Sequence, residues 1–321
     1  MPDYQSNDYT EELERLLAEA VEDSKPVSTG IPALDSLLGG GLHKGLSVLA
    51  GDTGAGKTSL AIQAALYIAN QSSRGIVAYD LCDMNGRRTA LLRMVSTAAA
   101  VAGAEGFELG SAGTWDDQKQ SEGLVIFQRV SGGRVRLHET ADVAELIETI
   151  DNAEEKRLAR IEFQQKLRSV DRDSPEDMEA LKAKRDRLNE LSRPTRMLVC
   201  DFAQAMEYNS RSLAFDTEAA SLAVRELRAW AYSHDAVVLL LSAYNKDAGK
   251  AHERGAEPRL SDILGSAELA YSAEHVLALV NPHDGSGKIT VRDLKHRHAG
   301  NTAQANRVCT LHLDAEHGLF G

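Results

Sequence analysis

The stretch Gly51-Asp52-Thr53-Gly54-Ala55-Gly56-Lys57-Thr58 decides the fold of this chain. It has the spacing of a phosphate-binding loop, in which a glycine is followed after four residues by Gly-Lys and then Ser or Thr. Residues 46–50 form an apolar run ahead of it, and from Ser59 onward apolar residues recur at helical spacing. Strand, glycine loop and helix in this order are the context that the motif requires.

The loop residues predict how a nucleoside triphosphate is bound. Glycines let successive backbone N–H groups point at an anion, and the helix that follows adds the partial positive charge of its N-terminus. Lys57 is predicted to reach the outer phosphates of ATP, and the Thr58 hydroxyl to ligate Mg²⁺. The alternative is a glycine-rich turn that only caps a helix, which the flanking segments disfavour. We expect the nucleotide contacts to come from Gly51, Asp52, Thr53, Gly54, Ala55, Gly56, Lys57, Thr58 and Ser59.

The composition limits the class of protein. The chain has 321 residues, of which 43% are hydrophobic, enough for a sizeable core in one or two domains. No apolar run approaches the about 20 residues of a membrane span, and the acidic start lacks the order of a secretory signal. Three widely spaced cysteines predict buried thiols, neither a disulfide framework nor a metal site. We expect a cytoplasmic protein, and the net charge of -12 argues against coating nucleic acid with the whole surface.

The pattern along the chain predicts one α/β domain with two additions. Residues 1–26 form an acidic linker, whose amphipathic helix over 9–23 could pack on its own core or on a neighbouring subunit. Over 27–321 strand and helix patterns alternate, which indicates a mostly parallel sheet flanked by helices on both faces. Glycine, serine and charge over 103–125 predict a loop. The densely charged residues 151–192 predict an inserted helical hairpin, either a solvated decoration or an arm that contacts a partner.

Carboxylates at strand ends predict further parts of the site. The apolar run 197–200 ends in Asp201, and an acid at the tip of a buried strand can hold a Mg²⁺-bound water beside the phosphate loop. Hydrolysis also needs a group that orients the attacking water. Asp83 and Asp80, at the end of the second predicted strand, are the candidates, and each could instead be a helix cap or a surface acid.

A series of motifs resembles the RecA-like motor domain of DnaB-type replicative DNA helicases. They are Gly51–Thr58, Asp83-Met84, and residues 201–204, 241–246, 261–267 and 295–297. The most specific part is 261–276, which follows the family's pattern without gaps. The approach to the phosphate loop, residues 28–42, is shared more widely with KaiC-like and RecA-like ATPases. The resemblance covers roughly residues 27–100 and 195–320.

The resemblance implies a RecA-like P-loop ATPase core with catalytic residues at matching positions. Lys57, Thr58 and Asp201 match the loop lysine, the Mg²⁺ ligand and the second acidic motif. Asp83 stands where the family has a catalytic glutamate, so we assign the orientation of water to it. Gln204 matches a glutamine that senses phosphate and couples it to the DNA loops.

Lys295 and Arg297 match a Lys-x-Arg pair that family members insert into the ATP site of the neighbouring subunit. Cationic groups arriving from outside neutralise charge that develops on the γ-phosphate. A finger that acts in trans requires a head-to-tail interface that closes, so the resemblance implies a homo-oligomeric ring, expected to be a hexamer.

Two loops match the positions that contact single-stranded DNA in such rings. One carries Arg211, and the other, residues 245–259, carries Lys246, Lys250 and Arg254. Local positive charge in an acidic protein suits backbone phosphates without base readout. The alternative is a surface loop with ordinary lysines.

Several positions depart from the family's pattern. Asp83 is shorter than glutamate, and Ala243 and Leu264 replace a usual glutamine and arginine. The accessory N-terminal domain has no counterpart in the sequence, which favours a compact plasmid, phage or specialised relative. We expect a DNA helicase or translocase, with a replication or loader protein as possible partner of the N-terminal helix or of the hairpin. The alternatives are a KaiC-like or recombination-mediator ATPase that acts as a switch, and a nucleotide-dependent scaffold.

Overall fold

A computed structural model shows the fold over most of the chain. It describes residues 25–71, 76–82, 87–153, 195–214, 216–245, 256–263, 267–298 and 307–321, and the single residues Glu14, Glu155, Ala248 and His252. The predicted helix over 9–23 and the predicted hairpin over 151–192 lie almost entirely outside these residues. So do four predicted site residues, Asp83, Lys246, Lys250 and Arg254. All of these stay predictions.

A sheet of nine strands crosses the described part of the chain in the order β11-β10-β9-β8-β1-β7-β4-β2-β3. Its strands are β1 (Gly45–Gly51), β2 (Ile76–Asp80), β3 (Val135–His138), β4 (Thr195–Cys200), β7 (Val237–Ser242), β8 (His275–Val280), β9 (Lys288–His296), β10 (Val308–Asp314) and β11 (Leu319–Phe320). The short strands β5 (Glu207–Tyr208) and β6 (Arg211–Ser212) pair separately. Strands β1 to β4, β7 and β8 are parallel to one another, whereas β9, β10 and β11 each pair antiparallel with their neighbours in the sheet.

Helices cover both faces of this sheet. They are α1 (Pro32–Leu37), α2 (Lys57–Asn70), α3 (Arg87–Ala102), α4 (Asp117–Val130), α5 (residues 143–153), α6 (Thr217–Ser233) and α7 (Ala267–Ser272). Short 3₁₀ turns span Leu109–Thr114, Ala203–Ala205 and Leu260–Asp262. The predicted mostly parallel sheet with flanking helices is thus confirmed. No helix that the structure describes combines the length and apolar character that crossing a bilayer demands.

The apolar runs of the central strands explain this architecture. Every residue of β1 and of β7 is buried, because both faces of these strands are covered. Side chains alternate between the faces, so Leu49 packs with α2 and α3 whereas Val48 packs with α5 and α6. Since the parallel strands all end at one edge of the sheet, the residues that follow them converge there.

The expectation of a loop over 103–125 is wrong in its second half, where α4 begins. Asp116 caps this helix by accepting a hydrogen bond from the backbone N–H of Lys119. Gly123, which the sequence analysis counted as a sign of a loop, lies inside α4. The position requires glycine, because a Cβ there would be 2.6 Å from Cγ1 of Val95. The glycine therefore permits the close packing of α4 on α3.

Candidate functional site

The loop between β1 and α2 has the backbone conformation that a phosphate-binding loop needs. Gly54 and Gly56 have φ values of 79° and 92°, a region that residues with side chains rarely adopt. A Cβ on Gly56 would also lie 2.8 Å from Cζ of Phe320. Gly56 has no side chain to occupy the N–H groups of the first turn of α2, which can therefore face an anion.

Lys57 is held over this loop. Its Nζ donates to the carbonyl oxygens of Gly51, at 2.8 Å, and of Asp52, at 2.9 Å. Burial lowers the pKa of the ammonium group, and the neighbouring Asp201 and Asp52 oppose that shift. A phosphate would offer this ammonium a charged acceptor, and such hydrogen bonds are about twice as strong as those to neutral groups.

Thr58 and Asp201 bring two oxygens together across the cavity. Oγ1 of Thr58 donates to Oδ1 of Asp201 at 3.4 Å, and the Tyr79 hydroxyl donates to Oδ2 at 3.0 Å. Burial raises the pKa of Asp201, while these hydrogen bonds and the charges of Lys57 and Arg93 lower it. A hydroxyl and a carboxylate are the donor set that Mg²⁺ prefers, so the pair fits this ion.

These groups open into a cavity of about 330 Å³, a size typical of ligand pockets. It is lined by Thr53, Gly54, Gly56, Lys57, Thr58, Leu81, Thr89, Ala90, Arg93, Asp201, Phe202 and Ala243. Of the remaining predicted loop residues, Ala55 is buried, and Ser59 accepts a hydrogen bond from Arg93. The loop between β1 and α2 and Asp201 thus line one cavity.

Arg93 is a site residue that the sequence did not reveal. It projects from α3 into the cavity, where its Nη1 donates to Oγ of Ser59 at 3.1 Å. It places a second cation near Lys57 in an otherwise acidic protein. An arginine within a helix is an ordinary surface residue by sequence, and only the packing of α3 beside α2 brings it here.

Asp80 does not face the nucleotide cavity. It ends β2 and is fully buried, with Oδ1 accepting from the Thr140 backbone N–H at 3.0 Å and Oδ2 from the Cys82 thiol at 3.1 Å. Burial raises its pKa to about 6, against the effect of these hydrogen bonds. Asp80 therefore ties β2 to the segment after β3. Asp83, outside the described residues, remains the predicted water-orienting acid.

The raised pKa of Asp80 makes stability depend on pH. Because its folded-state pKa of about 6 exceeds the ordinary value of 3.8, the folded protein binds the extra proton, and stability is lost as pH rises through this window. Asparagine does not titrate. Between pH 4.5 and 7.5 we expect wild type to lose about 2 kcal/mol of its free energy of unfolding through Asp80, whereas Asp80→Asn does not. The difference in stability, variant minus wild type, therefore rises by that amount over this range. Urea unfolding at both pH values measures it, and a difference that stays constant contradicts the raised pKa.

Gln204 connects the ends of two strands beside the cavity. Its Nε2 donates to Oγ of Ser242 at 2.9 Å, and its Oε1 accepts from the backbone N–H of Ala243 at 3.1 Å. Gln204 follows β4 and Ala243 follows β7, so these two hydrogen bonds couple the positions of the two strand ends. The segment 245–259 begins two residues after Ala243.

Lys295 and Arg297 lie at the opposite end of the strands from the phosphate loop, near the amino end of β8. Both donate to the carbonyl oxygen of Tyr271 at 2.7 Å, and Nε of Arg297 is 3.5 Å from Oε2 of the buried Glu274. Lys295 pairs with Val276, which lies opposite Val48 of β1. The phosphate loop begins at Gly51, about 10 Å further along β1 at the rise of a strand, and the side chains of Lys295 and Arg297 contact Tyr271 instead. The structure therefore does not bring this pair to its own phosphate loop.

Arg211 lies on the exposed hairpin of β5 and β6. Its guanidinium contacts Asp216 at 2.7 Å and Glu218 at 2.9 Å. These two carboxylates raise the pKa of Arg211 and offset its charge locally. A DNA phosphate at this position would have to compete with them.

Comparisons with known proteins bear on the family and on the fold. The model of the DnaB-like helicase C-terminal domain matches residues 26–144. The ATPase domain of G40P has 19% identity, covers 99% of each chain and gives a TM-score of 0.63. A DnaB-like replicative helicase, solved in a study of its interactions with primase, has 17% identity, covers 99% of this chain and 67% of that one, and gives 0.63. The RadB recombinase has 18% identity, covers 91% and 97%, and gives 0.53.

A search of curated proteins finds no match. At 17–19% identity these solved structures show the fold alone, which is the RecA-like α/β fold. Over residues 26–144 the match to the family model supports the resemblance to DnaB-type motor domains, whereas the motifs over 195–320 lie outside that match.

Proposed function

We propose that this chain is the motor of a DnaB-type DNA helicase, which hydrolyses ATP at the subunit interfaces of a ring and moves on single-stranded DNA. The observation that carries the proposal is that two groups of site residues, each forming half of an ATP site, lie at opposite ends of the strands of one sheet. Lys57, Thr58 and Asp201 converge at one end, and Lys295 with Arg297 lies at the other. The match to the DnaB-like family model supports it.

The first half-site binds the phosphates of ATP. The backbone N–H groups of the loop and Lys57 contact the outer phosphates, and Arg93 adds a cation at the side of the cavity. Thr58 and Asp201 would hold Mg²⁺, which neutralises phosphate charge when bound. Asp83 orients the attacking water. Since Asp83 is shorter than glutamate, we expect it to hold this water less firmly.

The second half-site completes the site of a neighbouring subunit. Lys295 and Arg297 cannot reach their own phosphate loop, so they act on ATP only if a second copy presents its loop to them. Such a head-to-tail contact closes into a ring, for which we propose six subunits. In each chain the pair already rests on the Tyr271 carbonyl, which limits the side-chain freedom lost on assembly.

Single-stranded DNA is the proposed track. Lys246, Lys250 and Arg254 supply positive charge in the segment after β7, and Arg211 supplies it after β4. Gln204 binds Ser242 and Ala243, and Ala243 lines the cavity. Hydrolysis at the phosphate can therefore shift the ends of β4 and β7 and the loops that follow them. A loader or replication protein could dock on the N-terminal helix or on the hairpin at 151–192.

The proposal is tested by the ATPase rate with and without DNA. We expect single-stranded DNA to raise the rate strongly, and duplex DNA of the same length to raise it less. A rate indifferent to DNA would favour a KaiC-like or recombination-mediator switch. Nucleotide binding with almost no turnover would favour a scaffold. Single-stranded RNA of matched length distinguishes an RNA motor from a DNA motor.

A further inference from the structure

A cluster of histidines lies at the edge of the sheet away from the phosphate loop. His43 precedes β1, His275 begins β8, and His296 ends β9, and these side chains are 8%, 0% and 4% exposed. The ring centroids of His275 and His296 are 4.5 Å apart, and those of His43 and His275 are 5.0 Å apart. His298 stacks on His43 with a centroid distance of 4.0 Å. Nothing in the ATPase chemistry uses these buried imidazoles.

The ring nitrogens of three of these residues converge. Nδ1 of His43 lies 2.8 Å from Nε2 of His275, and one nitrogen from each of His43, His275 and His296 lies within 4.8 Å of the others. In a tetrahedral zinc site with Zn–N distances of about 2.0–2.1 Å, the ligand nitrogens are about 3.3 Å apart. Small side-chain rotations therefore bring all three to a shared ion.

Hydrogen bonds alone do not account for the cluster. In the described part of the chain, Nδ1 of the fully buried His275 has no hydrogen-bond partner. Nε2 of His275 is already in the 2.8 Å hydrogen bond with Nδ1 of His43, so Nδ1 is the nitrogen that a metal ion would take. A buried polar nitrogen without a partner costs free energy that a metal–nitrogen bond would recover.

His296 has the carboxylate partner that metal-bound histidines commonly have. Its Nδ1 lies 3.0 Å from Oδ2 of Asp293, whose side chain is 1% exposed. Nη1 of Arg307 also lies 2.8 Å from this nitrogen, and because a guanidinium only donates, Arg307 and Asp293 favour opposite tautomers of His296. In the metal-bound form we place the proton of Nδ1 toward the Asp293 carboxylate, with Arg307 keeping its ion pair to Oδ2 of Asp293 at 3.6 Å. This tautomer leaves the Nε2 lone pair for an ion. This is the carboxylate–histidine–metal arrangement that fixes the tautomer and the ring orientation.

We propose that His43, His275 and His296 bind one divalent transition-metal ion, with zinc as the favoured ion. Three neutral imidazoles suit zinc, copper or nickel, and exclude the hard ions calcium and magnesium, which take oxygen ligands. The stacked His298, with its Nε2 3.2 Å from Oε2 of Glu274, covers one face of His43 on the solvent side. This assignment stands whether or not the chain is a helicase.

The ion would join three separate segments of the chain. It would link the segment that precedes β1 to the start of β8 and the end of β9; the sheet itself pairs β1 with β8 and β8 with β9 but does not include His43. Since His296 stands between Lys295 and Arg297, the metal would fix the backbone that carries both cations. The site is thus a structural support for the far edge of the sheet.

One other group among the described residues could compete for metal. Asp314, Glu316 and His317 also come together, but His317 there donates to Asp314 at 2.7 Å, and two of the three residues are exposed. His317→Gln removes its nitrogen ligand and leaves the buried cluster untouched. It therefore serves as the matched control.

The test is zinc binding by the full chain without nucleotide. After incubation with zinc chloride and dialysis, we expect one equivalent of zinc in wild type and in His317→Gln, and less than a tenth of that in His275→Asn and His296→Gln. Zinc at a hundred times its Kd should raise the melting temperature of wild type by about 5 °C and leave the two cluster variants unchanged. Retention of zinc by both cluster variants, or no zinc in wild type, overturns the proposal.

A second measurement covers variants that fail to fold. Cobalt chloride added to wild type should give the intense visible absorption of tetrahedral Co²⁺. It should also shift the ring-proton NMR signals of His43, His275 and His296 but not those of the exposed His283. Signals of the cluster that stay in place while His317 shifts would move the metal to the exposed group and refute the buried site.

Discussion

Replacement of Arg297 by alanine lowers the ATPase kcat by about 10³–10⁵ while ATP still binds, if the finger acts as proposed. The guanidinium would stabilise charge that develops on the γ-phosphate only in the transition state, so its loss acts on kcat and not on ground-state binding. Nucleotide affinity, followed with a fluorescent ATP analogue, should stay within a few-fold of wild type. A normal kcat in the variant would remove the finger from the mechanism.

Mixed assemblies distinguish a finger in trans from one in cis. Lys57→Ala destroys the phosphate loop but keeps Lys295 and Arg297, whereas Arg297→Ala keeps the loop and loses the finger. If each site uses a finger from its neighbour, mixing the two inactive variants restores turnover where an intact loop meets an intact finger. This recovery is expected because the phosphate loop and Arg297 lie at opposite ends of the strands within one chain. No recovery in mixed rings of confirmed composition would contradict the trans arrangement.

The control for Arg297→Ala is an arginine on β9, the strand that Arg297 follows. Arg292 pairs with the exposed Glu257 at 2.7 Å and takes no part in the site. A surface pair of this kind contributes about 0–1 kcal/mol to stability. Arg292→Ala should therefore keep both its fold and its ATPase rate. Arg297 also contacts the buried Glu274, so the melting temperature of Arg297→Ala has to be measured beside its kcat.

The core of the fold was predictable because its signals are local. The phosphate loop and the apolar runs of β1, β4 and β7 specify their own conformation, and parallel strands place Thr58 and Asp201 at a common edge. Arg93 was not predictable, since its role depends on how α3 lies against the phosphate loop. Asp80 and Asp83 look alike in sequence, and only burial separates Asp80 from the cavity.

The loop expected over 103–125 shows a different limit. Gly123 weakens the helical signal of the segment, yet the structure needs a residue without a side chain at that point, where Val95 and Phe107 approach. Val95, on α3, lies outside the segment, and the Phe107 contact forms only when α4 folds back on the start of the segment. The composition of 103–125 therefore does not reveal this packing. The histidine cluster is of the same kind, since His43 and His275 are 232 positions apart.

Asp201→Asn tests the other half-site, and we expect it to lower kcat by about 10²–10³, as loss of one preorganised charged group does in other enzymes. The amide keeps the size of the side chain but cannot offer a carboxylate to Mg²⁺. Affinity for ATP without Mg²⁺ should therefore be unchanged, while the gain in affinity on adding Mg²⁺ should shrink. Both quantities come from one titration of the variant with and without the metal ion.

Tyr79→Phe supplies the matched comparison, because it removes only the hydroxyl that donates to Oδ2 of Asp201 at 3.0 Å. A hydrogen bond to a charged group contributes about 1.5–3 kcal/mol, so we expect kcat to fall by about tenfold and by no more than about 10². Tyr79 then acts as a positioning residue, and the Mg²⁺-dependent gain in ATP affinity persists in the phenylalanine variant. If the two substitutions were equally damaging, the position of the carboxylate would matter more than its charge, and Asp201 would lose its proposed role as a ligand.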